Sequence, residues 1–342
     1  MILRRESNGY MVSVVQQTLS TFLFSEDIVV DGVFGLQTEK IVKIFQNKNN
    51  LTVDGIVGRN TWQALGILDS DQYETESFYR YDVDNELRYG GKQKVSRRLE
   101  IEKYYLDSDE YIRDKGYIKP TSVFLHHTAG WNNPVNTAHG WNVDSRGRVG
   151  TQFVMGGKSI TGEKDNVNDG RIIQCFPNNY NAYHLGKIGD SKFALKAIGI
   201  EICNFGRLEK VGEKYYTWPA FDWKGNLRTT AIDLYEVAPS EVYYFEDAWR
   251  GSHYYHKYSK KQIENLKHLL RYLNREIPTL DLANGIPSML SAGINHHICL
   301  SFNPDAFFGR VMGLWSHSNV RADKSDISPQ APLMEMLNKL NF

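Results

Sequence analysis

His126 and His127 close an apolar run, Val123-Phe124-Leu125, and lead into Thr128-Ala129-Gly130. Glu201 ends a second apolar stretch, Ile198-Gly199-Ile200. Near the C-terminus His317, Asp323, Lys324 and Asp326 fall within ten residues. Two imidazoles and one carboxylate form a ligand set that can hold zinc while leaving a coordination position open. The remaining carboxylate and the lysine would then supply a proton shuttle and a positive charge facing an oxyanion. A lone carboxylate in an apolar strand is costly without a partner or a task. Neighbours on a strand point to opposite faces, so one of His126 and His127 can face such an ion while the other packs or supports.

These residues need a scaffold. Val123-Phe124-Leu125, Phe153-Val154-Met155, the stretch after Asp169-Gly170 and Ala197–Cys203 read as strands. Leu266, Leu269, Leu270 and Leu273 are spaced as one face of a helix. Strands interleaved with helices predict an α/β domain, a mixed central sheet flanked by helices. Residues 96–116, with mixed charge around Leu99, Ile101, Tyr105 and Leu106, are expected to form a helix packed on it.

The N-terminal part is different. Asp31-Gly-Val-Phe-Gly-Leu-Gln-Thr38 recurs as Asp54-Gly-Ile-Val-Gly-Arg-Asn-Thr61. Asp-Gly starts a turn, and Thr38 and Thr61 are expected as helix N-caps. Val12, Val15, Leu19 and Phe22 form one apolar stripe, Ile41, Val42 and Phe45 a second, and Trp62 and Leu65 begin a third. The prediction is a small all-α, three-helix domain over 1–68. A polar, turn-rich linker over 69–95 and a catalytic domain over 96–342 follow.

Four motifs in order carry a resemblance: His126-His-Thr-Ala-Gly after a strand, Tyr183-His184-Leu-Gly, Ile198-Gly-Ile-Glu201, and His317 followed by Asp323-Lys324-Ser-Asp326. They resemble the zinc N-acetylmuramoyl-L-alanine amidases, a family that includes phage endolysins and peptidoglycan-recognition proteins. The resemblance covers roughly 118–342. It implies His126, His317 and Asp326 as zinc ligands, with Asp323 the nearby rival to Asp326. It also implies Glu201 as general base, Lys324 as oxyanion stabiliser, and His184 on the substrate side. Thr151-Gln152 stands where many phage relatives carry Tyr-His. This places Thr151 beside the substrate and shifts the catalytic load onto Glu201. The pattern from Gln16 through Phe45-Gln46 to Thr61-Trp62 resembles the peptidoglycan-binding module often attached to wall hydrolases. Relative to the minimal family domain, 207–255 and 275–312 read as insertions. His253 and His256 are expected at the cleft, whereas His296, His297 and Cys299 match no defensible ligand set.

Composition narrows the partners. Lys+Arg and Asp+Glu are 40 each, leaving no excess charge to neutralise phosphates, so nucleic acid is not expected. No stretch reaches the about 20 apolar residues of a membrane helix, so no membrane insertion is expected. The N-terminus lacks a signal-peptide pattern. Cys175, Cys203 and Cys299 are read as buried, unpaired thiols. What the two resemblances imply, with these exclusions, is a monomeric peptidoglycan hydrolase, synthesised in a host cytoplasm and acting on the bacterial wall. The alternatives are a non-catalytic recognition protein, whose relatives lose zinc ligands, and a zinc wall peptidase.

Overall fold

The computed structural model describes residues 2–7, 12, 15–16, 18–19, 32–65, 78–82, 98–112, 118–164, 167–186, 188–189, 191–217 and 235–340. It forms two compact units, 1–77 and 78–342.

The N-terminal unit packs Val12, Val15, Leu19, Phe34, Val42, Phe45 and Trp62 into one core. Helices Leu36–Lys48 and Arg59–Ala64 supply much of it. Phe22 and Asp31 lie outside the described residues. Two buried glutamines link the duplicated turns to the helices. The Gln16 side chain accepts from the Gly32 amide and donates to the Val33 carbonyl and the Thr38 hydroxyl. Gln46 does the same with Gly55, Ile56 and Thr61. Thr38 and Thr61 are therefore not N-caps. Gly35 precedes the first of these helices without a side-chain cap, and both threonines lie inside their helices as buried partners of the glutamines.

The second unit is built on a mixed seven-stranded sheet in the order β1-β2-β5-β4-β6-β3-β12. Its strands are β1 (Phe78–Asp82), β2 (Arg98–Lys103), β3 (Ser122–His127), β4 (Phe153–Met155), β5 (Ile172–Gln174), β6 (Ala197–Ile202) and β12 (Leu314–Ser316). The central β4, β6, β3 and β12 run parallel. Their apolar runs are buried, as a sheet covered by other elements on both faces requires. The capped helix Lys260–Glu276 packs Leu266, Leu269, Leu270 and Leu273 into the main core.

Two expectations change. Residues 98–103 form β2 rather than a helix, because Leu99 and Ile101 share one strand face and are both buried. Glu102 is also buried and is held by Arg171 at 2.9 Å. The stretch read as a linker contributes β1, paired antiparallel to β2. The 207–255 region forms a three-stranded sheet of β7 (Leu208–Val211), β8 (Lys214–Thr217) and β9 (Glu236–Val237). It also forms a hairpin of β10 (Val242–Trp249) and β11 (Ser252–His256). All three cysteines are buried and unpaired.

Candidate metal centre

The ends of β3, β6 and β12 bring the site together. Register sets His126 opposite Glu201, so the two residues share a sheet face. His127 falls on the other face, opposite Ile202. There its ring is seated so closely against Gly206 that a Cβ on that glycine would lie 2.6 Å away. On the other side of β3, Ser316 of β12 is paired with Leu125. His317 follows Ser316 and opens a short turn of helix. The chain then loops back so that the Ser318 amide donates to the Asp326 carbonyl.

Three donor atoms converge. Nδ1 of His126 is 3.2 Å from Nδ1 of His317. The Asp326 Oδ2 lies 3.1 Å from the second nitrogen and 3.4 Å from the first. A tetrahedral ion with bonds of about 2.0–2.2 Å spaces its ligand atoms about 3.3–3.6 Å apart. The triad matches that spacing to within a few tenths of an ångström. Among the described residues, these three are the cluster able to hold a metal ion. Asp323 is exposed and bound in a fork by Arg321 at 2.6 and 2.7 Å, so it takes no part.

The opposite nitrogens establish the tautomers. His126 Nε2 is 2.9 Å from His184 Nδ1, and His184 Nε2 is 3.3 Å from the Ala197 carbonyl. A carbonyl only accepts, so His184 carries its proton on Nε2 and its Nδ1 accepts from His126. His317 Nε2 faces the Leu185 carbonyl at 3.3 Å and donates to it. Both imidazoles therefore turn an unprotonated Nδ1 towards the centre, the form a metal ligand needs. Residues 184 and 185 together provide the support behind both histidines. Sequence reading placed His184 on the substrate side; in the fold its contact is with His126.

Electrostatics favour the same state. Burial holds His126 neutral by lowering its pKa to about 4, against the raising effect of Asp326. Burial would raise the Asp326 pKa, but the His126 and His317 rings beside it outweigh this and hold it well below the ordinary carboxylate range. Glu201 is pushed well above the ordinary carboxylate range by burial and by Asp326, while Lys324 pulls it down.

Thr151, expected beside the substrate, is turned into the protein. It is 1% exposed, and its hydroxyl donates to the Phe153 carbonyl. Its methyl lies beside Gly199, where an added Cβ would approach Thr151 Cγ2 to 2.6 Å and His184 Nδ1 to 3.1 Å. The glycine before Glu201 is thus a packing requirement of the site. His256 is buried and accepts from the Phe205 amide, so it is structural rather than part of the cleft. His253 stacks on Tyr244 in the hairpin.

Comparison with known proteins is consistent with this arrangement. The family model for N-acetylmuramoyl-L-alanine amidase matches residues 116–299, more than half of the 342. The model for a putative peptidoglycan binding domain matches residues 8–65. No curated protein matches the chain. Among solved structures, the SleB N-terminal domain is 36% identical over 19% of this chain and 89% of its own, with a TM-score of 0.19. AmpDH3 from Pseudomonas aeruginosa is 16% identical over 68% of this chain and 65% of its own, with a TM-score of 0.35. AmiD from E. coli, solved with an anhydro-N-acetylmuramic acid peptide substrate, is 16% identical over 51% of this chain and 49% of its own, with a TM-score of 0.28.

Proposed function

The chain belongs to the N-acetylmuramoyl-L-alanine amidase family, and from that premise we propose that it cleaves peptidoglycan at the amide joining the lactyl group of N-acetylmuramic acid to L-alanine. The observation that carries this reading is the His126–His317–Asp326 triad at tetrahedral spacing, with Glu201 in register beside it. His126, His317 and Asp326 would hold zinc. When bound, the ion supplies a Lewis acid that polarises the scissile carbonyl and acidifies water.

The remaining chemistry belongs to side chains of this protein. Glu201 takes a proton from the attacking water. Burial and the neighbouring Asp326 raise its pKa, which makes it the stronger base. As the C–N bond breaks, Glu201 returns that proton to the leaving amine nitrogen. Lys324 faces the developing oxyanion with a positive charge. His184 and the Leu185 carbonyl hold the two histidines in their ligand tautomers. Thr151, buried beside Gly199, supports the strand that carries Glu201.

Residues 1–68 act as the wall-binding module, and the catalytic part extends from about 96. A wall-binding module joined to an amidase suits a monomeric, phage-type endolysin that is made in the host cytoplasm and acts on the wall. No helix among the described residues is long and apolar enough to cross a membrane. Mass spectrometry of digested wall tests the proposal. Glycan freed of intact stem peptides is expected. Cleavage within the stem peptide, or no cleavage by zinc-loaded protein, would overturn it.

A further inference from the structure

The loop carrying Lys324 and Asp326 is fixed at its ends, by the His317 turn and by the Ser318 amide bond to the Asp326 carbonyl. Its middle bulges outward, and Ala322 and Asp323 are exposed. Internal ties are a turn from the Lys324 amide to the Arg321 carbonyl and the Arg321–Asp323 pair. Neither tie holds the Ala322 carbonyl, although the Arg321 guanidinium packs against Gly186.

The anchor comes from the β10–β11 hairpin. Arg250 and Gly251 form its two-residue turn, between the paired Trp249 and Ser252. Both have positive φ, 44° and 79°. Asn-Gly or Gly-Gly is the usual choice for such a turn, and arginine in the first position is disfavoured by its Cβ. The guanidinium accounts for its presence there. Nη1 donates to the Ala322 carbonyl at 2.6 Å, and Cζ lies 5.1 Å from the centre of the Trp249 ring. Trp249 is buried, its carbonyl accepts from the Tyr255 hydroxyl at 2.5 Å, and its ring packs on His297 at 5.3 Å. The turn is therefore built on a rigid base, and the arginine extends from it to the bulge.

We propose that Arg250 is a positioning residue for the amidase reaction: by holding the Ala322 carbonyl it sets the loop that presents Lys324 to the oxyanion. This rests on the amidase reading above. Arg250 acts on the loop and not on the substrate, so its loss should appear in turnover and not in substrate affinity. A misplacement of about 1 Å at a reacting group can cost about a hundredfold. For Arg250→Ala on a soluble muropeptide we expect kcat lower by about 10–100-fold and KM within about twofold of wild type. Arg250→Lys keeps a charged donor for Ala322 and should regain most of the loss.

A double-mutant cycle gives the sharper test. In a Lys324→Ala background, Arg250→Ala should have no further effect on kcat, because the group it positions is gone. In metal-free protein, hydrogen exchange at the Lys324 amide should be faster in Arg250→Ala than in wild type, and this readout needs no activity. If Arg250→Ala melts well below wild type, Arg250→Met, which keeps a stem over Trp249 without a donor, carries the comparison. Four results overturn the proposal: kcat within threefold of wild type, a loss confined to KM, additive losses in the cycle, or unchanged exchange at Lys324. Wild-type protein that releases no stem peptide would count against the amidase reading, while the exchange measurement would still decide whether Arg250 restrains the loop.

Discussion

Replacing His184 with phenylalanine separates two roles that the sequence alone cannot tell apart. The ring is nearly isosteric, so its edge contacts with His126 and Phe124 should survive. What disappears is the acceptor 2.9 Å from His126 Nε2. His126 is 3% exposed, so that N–H would be left buried without a partner, at a cost of about 1–3 kcal/mol. The ring can escape by moving its proton or rotating, and either change withdraws Nδ1 from the centre. Removing a partner of this kind typically lowers metal affinity about 10–100-fold, or about 1.4–2.7 kcal/mol. Competition with a chromophoric zinc chelator measures the change directly. His184→Asn is the control: its Oδ1 sits at the same branch position as the histidine Nδ1 and restores an acceptor, so affinity should recover most of the way. If His184→Phe binds zinc within threefold of wild type and instead raises KM, His184 is a substrate group and the tautomer argument fails.

Glu201→Gln should retain zinc yet lose turnover by about two to four orders of magnitude, the usual worth of a positioned base. Near-wild-type rates would mean another group takes the proton. The same substitution should stabilise the metal-free protein at neutral pH. Glu201 has a folded pKa above its ordinary 4.5, so between those values the folded state binds more protons than the unfolded one and stability falls as pH rises. The mutant's advantage in chemical denaturation should shrink as pH drops towards 4.5; an advantage independent of pH contradicts the assignment. Gly199→Ala should destabilise by about 1–3 kcal/mol through overpacking against Thr151 and His184. Thermal melts unchanged from wild type would show that the strand shifts freely there. Gln46→Ala in the isolated 1–77 unit removes the bonds to Gly55, Ile56 and Thr61, and urea unfolding should show a loss of about 2–4 kcal/mol. A loss under 1 kcal/mol would mean water replaces the amide.

Much of the scaffold is legible in the chain because local patterns and tertiary demands agree. The apolar runs at 123–125 and 197–202 are too continuous for an exposed strand and become the parallel core of the sheet. The leucines from 266 to 273 have one helical face and use it. The duplicated Asp-Gly units mark the turns of the N-terminal unit, although the role of Gln16 and Gln46 emerges only where helix and turn meet. Residues 98–103 misled because mixed charge imitates a helix surface, and the partner that neutralises Glu102 is Arg171, 69 positions away.

The donor types of the site, two imidazoles and a carboxylate with a second carboxylate and a lysine nearby, were set by sequence. So was the alternation that separates His126 from His127, because a strand has period two whatever surrounds it. Tertiary structure decided what depends on distance between remote segments. It selected Asp326 over Asp323 by turning one inward and giving the other to Arg321. It set the tautomers by placing His184 and the Leu185 carbonyl behind the imidazoles. It buried Thr151 and brought Arg250 onto the Ala322 carbonyl, 72 positions away. A sequence specifies which donors exist, but a hydrogen bond or a coordination geometry depends on tenths of an ångström, and only packing the whole domain determines those.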